Sequence, residues 1–121
     1  MKRRILIADD HDVTREGLKA VIGRRYTVCG EAVNGQEALV KTIALKPDLV
    51  ILDVNMPVLN GLDAARQIRA AMPATRILIL SIDESPEMEH EVKLAGGDAF
   101  LPKSSAVDEL TKVIDRLMKA R

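Results

Sequence analysis

Apolar residues gather into five short runs, at positions 5–8, 27–30, 49–52, 77–80 and 99–101. Three of them, 5–8, 49–52 and 77–80, are purely apolar over four residues. A strand with one wet face alternates apolar and polar positions, so uninterrupted runs predict strands covered on both faces, as in a parallel sheet. The stretches between runs are long enough for a helix and two turns, the spacing of βαβ units. They also carry helix marks. Asp12 is placed to cap a first helix that packs through Leu18, Val21 and Ile22. Asn34-Gly-Gln-Glu37 reads as a capping box, followed by Ala38, Leu39, Thr42 and Ile43 on one face. Positions 61–72 predict a third helix with Leu62, Ala65, Ile68 and Met72 inward. Ser85-Pro86 opens a fourth, which Gly96-Gly97 closes. Ser105 starts a fifth, whose apolar positions Val107, Leu110, Ile114, Leu117 and Met118 follow the helical period.

Five strands alternating with five helices through right-handed crossovers predict an α/β fold. It is a doubly wound five-stranded parallel sheet, flavodoxin-like (βα)5, with strand order 2-1-3-4-5. Composition fits one such domain: 121 residues, 47% hydrophobic and 30% charged. Tyr26 and Phe100 are the only aromatic residues, so the core is aliphatic. Eighteen basic residues balance eighteen acidic ones, and a neutral chain offers no basic face for nucleic acid. A single cysteine excludes an internal disulfide and a cysteine metal cluster. The apolar run after Lys2, Arg3 and Arg4 stops at Asp9, too soon for a secretory signal, and no run reaches the length of a membrane span. A cytoplasmic location without membrane contact is expected.

Candidate chemistry stands at the strand ends. Asp9 and Asp10 follow the first run, Asp53 the third and Ser81 the fourth, and Lys103 lies two residues past the fifth. In the expected strand order these ends meet at the switch point, where ligands of such sheets bind. Each residue alone has an ordinary role: a turn or cap for aspartate, local backbone contact for serine, a solvated charge for lysine. Three clustered carboxylates repel one another unless a cation lies among them, and oxygen donors open to water suit Mg²⁺ better than Zn²⁺ or copper. A carboxylate can act as a nucleophile and form an aspartyl phosphate. Phosphoryl transfer then needs Mg²⁺ and donors on the transferring oxygens, which Lys103, Ser81 and backbone N–H groups near Asn55 and Ile82 can supply. His11 reads as a helix-start residue and His90 as a surface residue.

The pattern Asp9-Asp10, Asp53-Val-Asn-Met-Pro57 with Asn60-Gly61, Ser81, and Phe100-Leu-Pro-Lys103 resembles the receiver domain of two-component response regulators, over the whole chain. The resemblance implies that Asp53 is the phosphoacceptor. It implies that Asp10, Asp53 and the backbone carbonyl of Asn55 ligate Mg²⁺, with Asp9 assisting directly or through water. Ser81 becomes the switch hydroxyl, Phe100 the switch aromatic and Lys103 the phosphate-pairing lysine. The phosphoryl donor is a phosphohistidine on a sensor histidine kinase. Such a chain is a signalling switch that assists its own phosphorylation and dephosphorylation, not a conventional enzyme.

Finer features resemble the NarL/FixJ branch of transcriptional regulators with a LuxR-type helix-turn-helix: His11 after the acidic pair, Arg15-Glu-Gly-Leu18, Asn60-Gly-Leu62 and Leu101-Pro-Lys-Ser-Ser105. This implies a receiver over 1–121 whose output domain is absent from this chain, DNA being contacted through a missing C-terminal helix-turn-helix. The alternative is a stand-alone receiver acting by protein–protein interaction. A phosphorylation-dependent homodimer is a further expected partner arrangement, and this chain alone is expected not to bind DNA. Because Pro102 precedes Lys103 and Ser104 follows it, no cis peptide is expected after the lysine. Ile82 is expected to narrow the crevice, Asp83 to add an acid beside it, and Gly97, in place of a frequent alanine, to loosen the approach to the last strand.

Three other readings fit less well. A haloacid-dehalogenase-type phosphatase needs a second aspartate at position 55, which is Asn. A nucleotide-binding domain needs a glycine-rich loop, whereas the turn here is Asp9-Asp-His-Asp12, which repels phosphate. A binding-only pseudo-receiver lacks part of the acidic set or the lysine, and all are present.

Overall fold

The computed structural model describes residues 2–119; Met1, Ala120 and Arg121, at the ends of the expected 1–121 domain, lie outside them. Strands β1 (Arg4–Ala8), β2 (Thr27–Ala32), β3 (Leu49–Asp53), β4 (Arg76–Ser81) and β5 (Ala99–Pro102) alternate with five helices. These are α1 (Asp12–Ile22), α2 (Gly35–Leu45), α3 (Gly61–Ala71), α4 (Pro86–Leu94) and α5 (Ala106–Lys119). All strand pairs are parallel, in the order β2-β1-β3-β4-β5 expected of a flavodoxin-like sheet. No cis peptide bond occurs among the described residues.

Side chains alternate across each strand, so one sheet feeds two cores. Ile5, Ile7, Leu49, Ile51, Leu78 and Leu80 pack against Leu18 and Ile22 of α1 and Leu110 and Ile114 of α5. Leu6, Ala8, Val50, Leu52, Ile77 and Ile79 pack on the other side against Ala38, Ala65, Ile68 and Val92 of α2, α3 and α4. Neither face of β1, β3 or β4 meets water, which is why those runs hold no polar residue. Each large aliphatic side chain so buried contributes about 1.5–3 kcal/mol.

The edge strand β2 runs past its apolar segment. Glu31 and Ala32 pair with Ile7 and Ala8. An edge tolerates a charge there, and Glu31 receives Arg15 and Lys19, both at 3.0 Å.

Two helix starts follow their sequence marks, at Asn34 and Ser85, and Asn60 caps α3 in the same way. Asn34, Asn60 and Ser85 accept hydrogen bonds from the backbone N–H groups of Glu37 (2.7 Å), Asp63 (2.9 Å) and Met88 (3.1 Å). The first helix differs. Asp12 is its first helical residue, and the cap position is His11, which makes no side-chain capping bond. Asp12 instead pairs with Arg15 one turn on. Two apolar residues expected inside are exposed, Ile43 at 46% and Val107 at 68%. In α2 the buried line runs through Gly35, Ala38 and Thr42, one position off Ile43. A single 3-10 turn over Lys103–Ser105 precedes α5 and brings Ala106 inward in place of Val107.

Gly96 follows α4 with φ +93°, a conformation in which glycine carries no Cβ penalty. Gly97 does not loosen the approach to β5. A Cβ there would lie 2.7 Å from Val92 Cγ1, so glycine is what lets α4 close onto the sheet.

Tyr26 locks the segment before β2 to α5: its hydroxyl donates to Asp115, which also takes Arg25 at 2.9 Å. Burial, then the bond to Asp115 and its charge, push the Tyr26 pKa up to about 12. An unfolded tyrosine titrates near about 10. The folded state therefore binds this proton more tightly. The contribution is complete below about pH 10 and is lost as pH rises toward about 12. Tyr26→Phe is expected to cost about 1.5 kcal/mol at pH 8 and to flatten the alkaline loss of stability, measured by urea denaturation across pH. A variant whose alkaline limb matches wild type contradicts this linkage.

Candidate functional site

The carboxyl edge of the sheet gathers the predicted residues. Asp53 and Ser81 end β3 and β4, Asp9 and Asp10 follow β1, and Lys103 opens the turn after β5. Asp9, Asp53 and Ser81 are almost sealed from solvent, while Asp10 is exposed. The Lys103 ammonium lies 2.9 Å from Asp9 Oδ2 and 3.3 Å from Asp53 Oδ2. One donor atom from each of Asp9, Asp10, His11 and Asp53 falls within 4.8 Å of all the others.

Backbone contacts hold these groups in place. Asp9 N–H donates to Ala32 O at 3.0 Å, and Arg15 Nη1 donates to Asp9 O at 2.6 Å. The start of α3 lies directly on the end of β3. A Cβ at Gly61 would sit 2.0 Å from the Asp53 carbonyl oxygen, and the Gly61 N–H donates to Val54 O at 2.9 Å. Only glycine permits this approach, which is the physical content of the Asn60-Gly61 pair.

The site is short of positive charge. Burial, then the charge of Asp9, push the Asp53 pKa above the usual aspartate value; Lys103 and the Asn55 backbone N–H oppose this only in part. Burial also works against the Lys103 ammonium. Its hydrogen bond to Asp9 and the charges of Asp53 and Asp9 prevail and hold its pKa above the usual lysine value. One ammonium thus serves two buried carboxylates with a third beside them. An oxygen-rich donor set with surplus negative charge, open to water at Asp10, fits a divalent cation.

Ser81 Oγ accepts the Asp83 N–H at 3.0 Å, which leaves its own proton to donate. Asp83 accepts the Ser85 N–H at 2.9 Å, a bond that holds its carboxyl below the usual range and commits it to the start of α4. Ile82, beside Ser81, is exposed. Phe100 pairs in register with Ile79 and is half-buried against the α4 side of the sheet. It lines a cleft of about 210 Å³ with Val92, Lys93, Gly97 and Arg116. His90 is exposed on α4, as expected.

His11 is the site residue that sequence reasoning placed only as a helix start. Its ring Nδ1 lies 3.1 Å from both Asp9 Oδ1 and Asp10 Oδ1. The available signal was its position directly after the acidic pair.

Val58, in the loop between Asp53 and α3, has φ +70° and is 82% exposed. A β-branched residue in the left-handed region costs about 1–2 kcal/mol, whereas asparagine tolerates it. Val58→Asn is expected to raise stability by about 1 kcal/mol. An unchanged or lower urea midpoint would count against strain at this position.

Residues 5–115 match the family model described as the response regulator receiver domain. The chain is 40% identical over 118 residues to the chemotaxis protein CheY of Thermotoga maritima, covering 93% of this chain and 98% of that protein. It is 34% identical over 113 residues to the transcriptional regulatory protein LnrK of Bacillus subtilis, covering 92% of this chain and 51% of LnrK, so it spans about half that relative's length. The signal receiver domain of NarL from Mycobacterium tuberculosis superposes with a TM-score of 0.93 at 32% identity, covering 99% of this chain and 98% of that one. Among the described residues no helix is long and apolar enough to cross a membrane.

Proposed function

The chain belongs to the response regulator receiver domain family of two-component signalling, with NarL- and LuxR-type regulators among its relatives, and on that premise we propose that Asp53 is its phosphoacceptor. The observation that carries this is a sealed carboxylate, Asp53, 3.3 Å from the Lys103 ammonium and grouped with further carboxylates. Asp10, Asp53 and the Asn55 backbone carbonyl would hold Mg²⁺, with Asp9 assisting directly or through water. When bound, it supplies positive charge to the oxygens of the transferring group.

An Asp53 carboxylate oxygen attacks the phosphorus of a phosphohistidine on a sensor histidine kinase. The new P–O bond forms as the P–N bond breaks, its electron pair leaving with the imidazole. Lys103 pairs with the phosphoryl oxygens, and the Ser81 hydroxyl donates to another. The aspartate gains charge and acceptor oxygens, by analogy with other phosphorylated residues. Drawing Ser81 inward opens space beneath α4, and Phe100, one strand away, fills it. The face of α4, β5 and α5 changes shape. The chain is thus a switch rather than a classical enzyme.

The output is a DNA-binding transcription regulator domain outside residues 1–121, supported by the half-length match to LnrK. The near full-length match to CheY supports the second reading, a stand-alone receiver acting on a protein partner. In either case the phosphorylated face accommodates a homodimer. The chain works in the cytoplasm, and residues 1–121 alone do not bind DNA.

The test is intact-mass spectrometry after incubation with Mg²⁺ and a small acyl phosphate. One phosphoryl group per chain is expected, on Asp53, and its uptake is lost with chelator. Labelling that ignores chelator, or that maps to another residue, overturns the assignment.

A further inference from the structure

His11 brings a nitrogen to a crevice whose proposed role needs only oxygens. Its Nδ1 lies 3.1 Å from one oxygen of Asp9 and 3.1 Å from one oxygen of Asp10, and it shares the 4.8 Å donor group with Asp53. Its backbone N–H donates to Asp9 Oδ1 at 2.8 Å, which anchors the root of the side chain beside the acids. The ring itself makes no helix-capping bond, and the side chain is 64% exposed, so it turns with little loss of packing. With the ring proton on Nε2, Nδ1 offers a lone pair to the same space as the three carboxylates.

We infer that His11 is a metal ligand, so that the crevice selects first-row transition ions such as Ni²⁺, Co²⁺ and Zn²⁺ over Mg²⁺. The inference rests on the crevice being the cation site proposed above, and it names what else that site takes. Mg²⁺ prefers oxygen and keeps several of its waters, so an imidazole adds little to its binding. Nitrogen donors strengthen binding along the series from Mn²⁺ toward Ni²⁺ and Cu²⁺. An ion held through His11 also occupies Asp9, Asp10 and Asp53 and therefore competes with Mg²⁺ for them.

The rival role for the same geometry is orientation, in which Nδ1–H donates to Asp9 and Asp10 and holds their carboxylates in place. That role serves every cation alike. The two separate in calorimetric titrations of Mg²⁺ and Ni²⁺ into the whole chain, in a His90→Gln background that removes the other histidine. Before substitution, Ni²⁺ is expected to bind at least about tenfold tighter than Mg²⁺. His11→Gln is expected to lose at least about tenfold in Ni²⁺ affinity and less than about twofold in Mg²⁺ affinity. Unchanged Ni²⁺ binding in that variant, or equal losses for both ions, overturns the inference. A readout that needs no variant at position 11 is the ring ¹⁵N spectrum under Zn²⁺, where His11 Nδ1 must shift on binding; a silent ring also overturns it. Asp10→Ala distinguishes the two levels. If it leaves both ions bound as before, the cation-site reading itself fails. If it weakens Mg²⁺ while His11→Gln spares Ni²⁺, only the role of His11 fails.

Discussion

Asp53→Asn is expected to take up no detectable phosphoryl group under conditions that label wild type once per chain. An amide is not a nucleophile toward phosphorus, and the neighbouring carboxylates do not replace it: Asp9 is engaged by Lys103 and by the His11 N–H. The same variant is expected to be at least as stable as wild type without metal. Burial and Asp9 push the Asp53 pKa up, so its ionised form is disfavoured in the folded state. Above the raised folded value the carboxyl is charged both folded and unfolded, and replacing it with a neutral amide removes that penalty. The advantage shrinks as pH falls through the raised folded value and is gone below about pH 4, where the acid is protonated in both states. Mg²⁺ should stabilise wild type and stabilise the variant much less, by thermal unfolding. A metal-free variant clearly less stable than wild type would show that the Lys103 contact outweighs burial and repulsion.

Lys103→Met is expected to lower stability without metal by about 2–4 kcal/mol. Among the described residues the lysine is the one ammonium within ion-pair distance of both Asp9 and Asp53, and its loss leaves two buried carboxylates facing each other. Methionine keeps much of the aliphatic length, so the cost reports charge rather than volume. Two further measurements identify the cause. Adding Asp53→Asn should recover part of the loss, giving a coupling energy in the double-mutant cycle. Saturating Mg²⁺ should stabilise Lys103→Met more than wild type, since it supplies the missing charge. Additive losses, with equal Mg²⁺ effects, would assign the cost of the substitution to packing. Labelling of Asp53 should slow as well, because the transferring oxygens lose their cationic partner.

The fold was legible because its signals are local. Covalent geometry sets the two-residue and 3.6-residue periods, and strands buried on both faces can hold nothing polar, so 5–8, 49–52 and 77–80 declare themselves. Capping at Asn34 and Ser85 is equally local, since each contact spans three residues. Strand order follows the flavodoxin-like form of a doubly wound sheet with right-handed crossovers, and with it comes the convergence of Asp9, Asp10, Asp53, Ser81 and Lys103 on one edge. The tertiary structure decided everything that depends on ångström-scale approach between distant segments. Lys103 and Asp9 are 94 positions apart, and nothing near either shows that one ammonium would bridge two buried acids rather than stand in water. The 3-10 turn before α5 changed which residue faces the core, leaving Val107 outside. The contact of Gly97 with Val92 reversed the expected effect of that glycine. His11 read as a helix start because its backbone is one; the path of the chain between β1 and α1 turned its ring onto the acids, and side-chain direction is settled by packing in three dimensions, not by position along the chain.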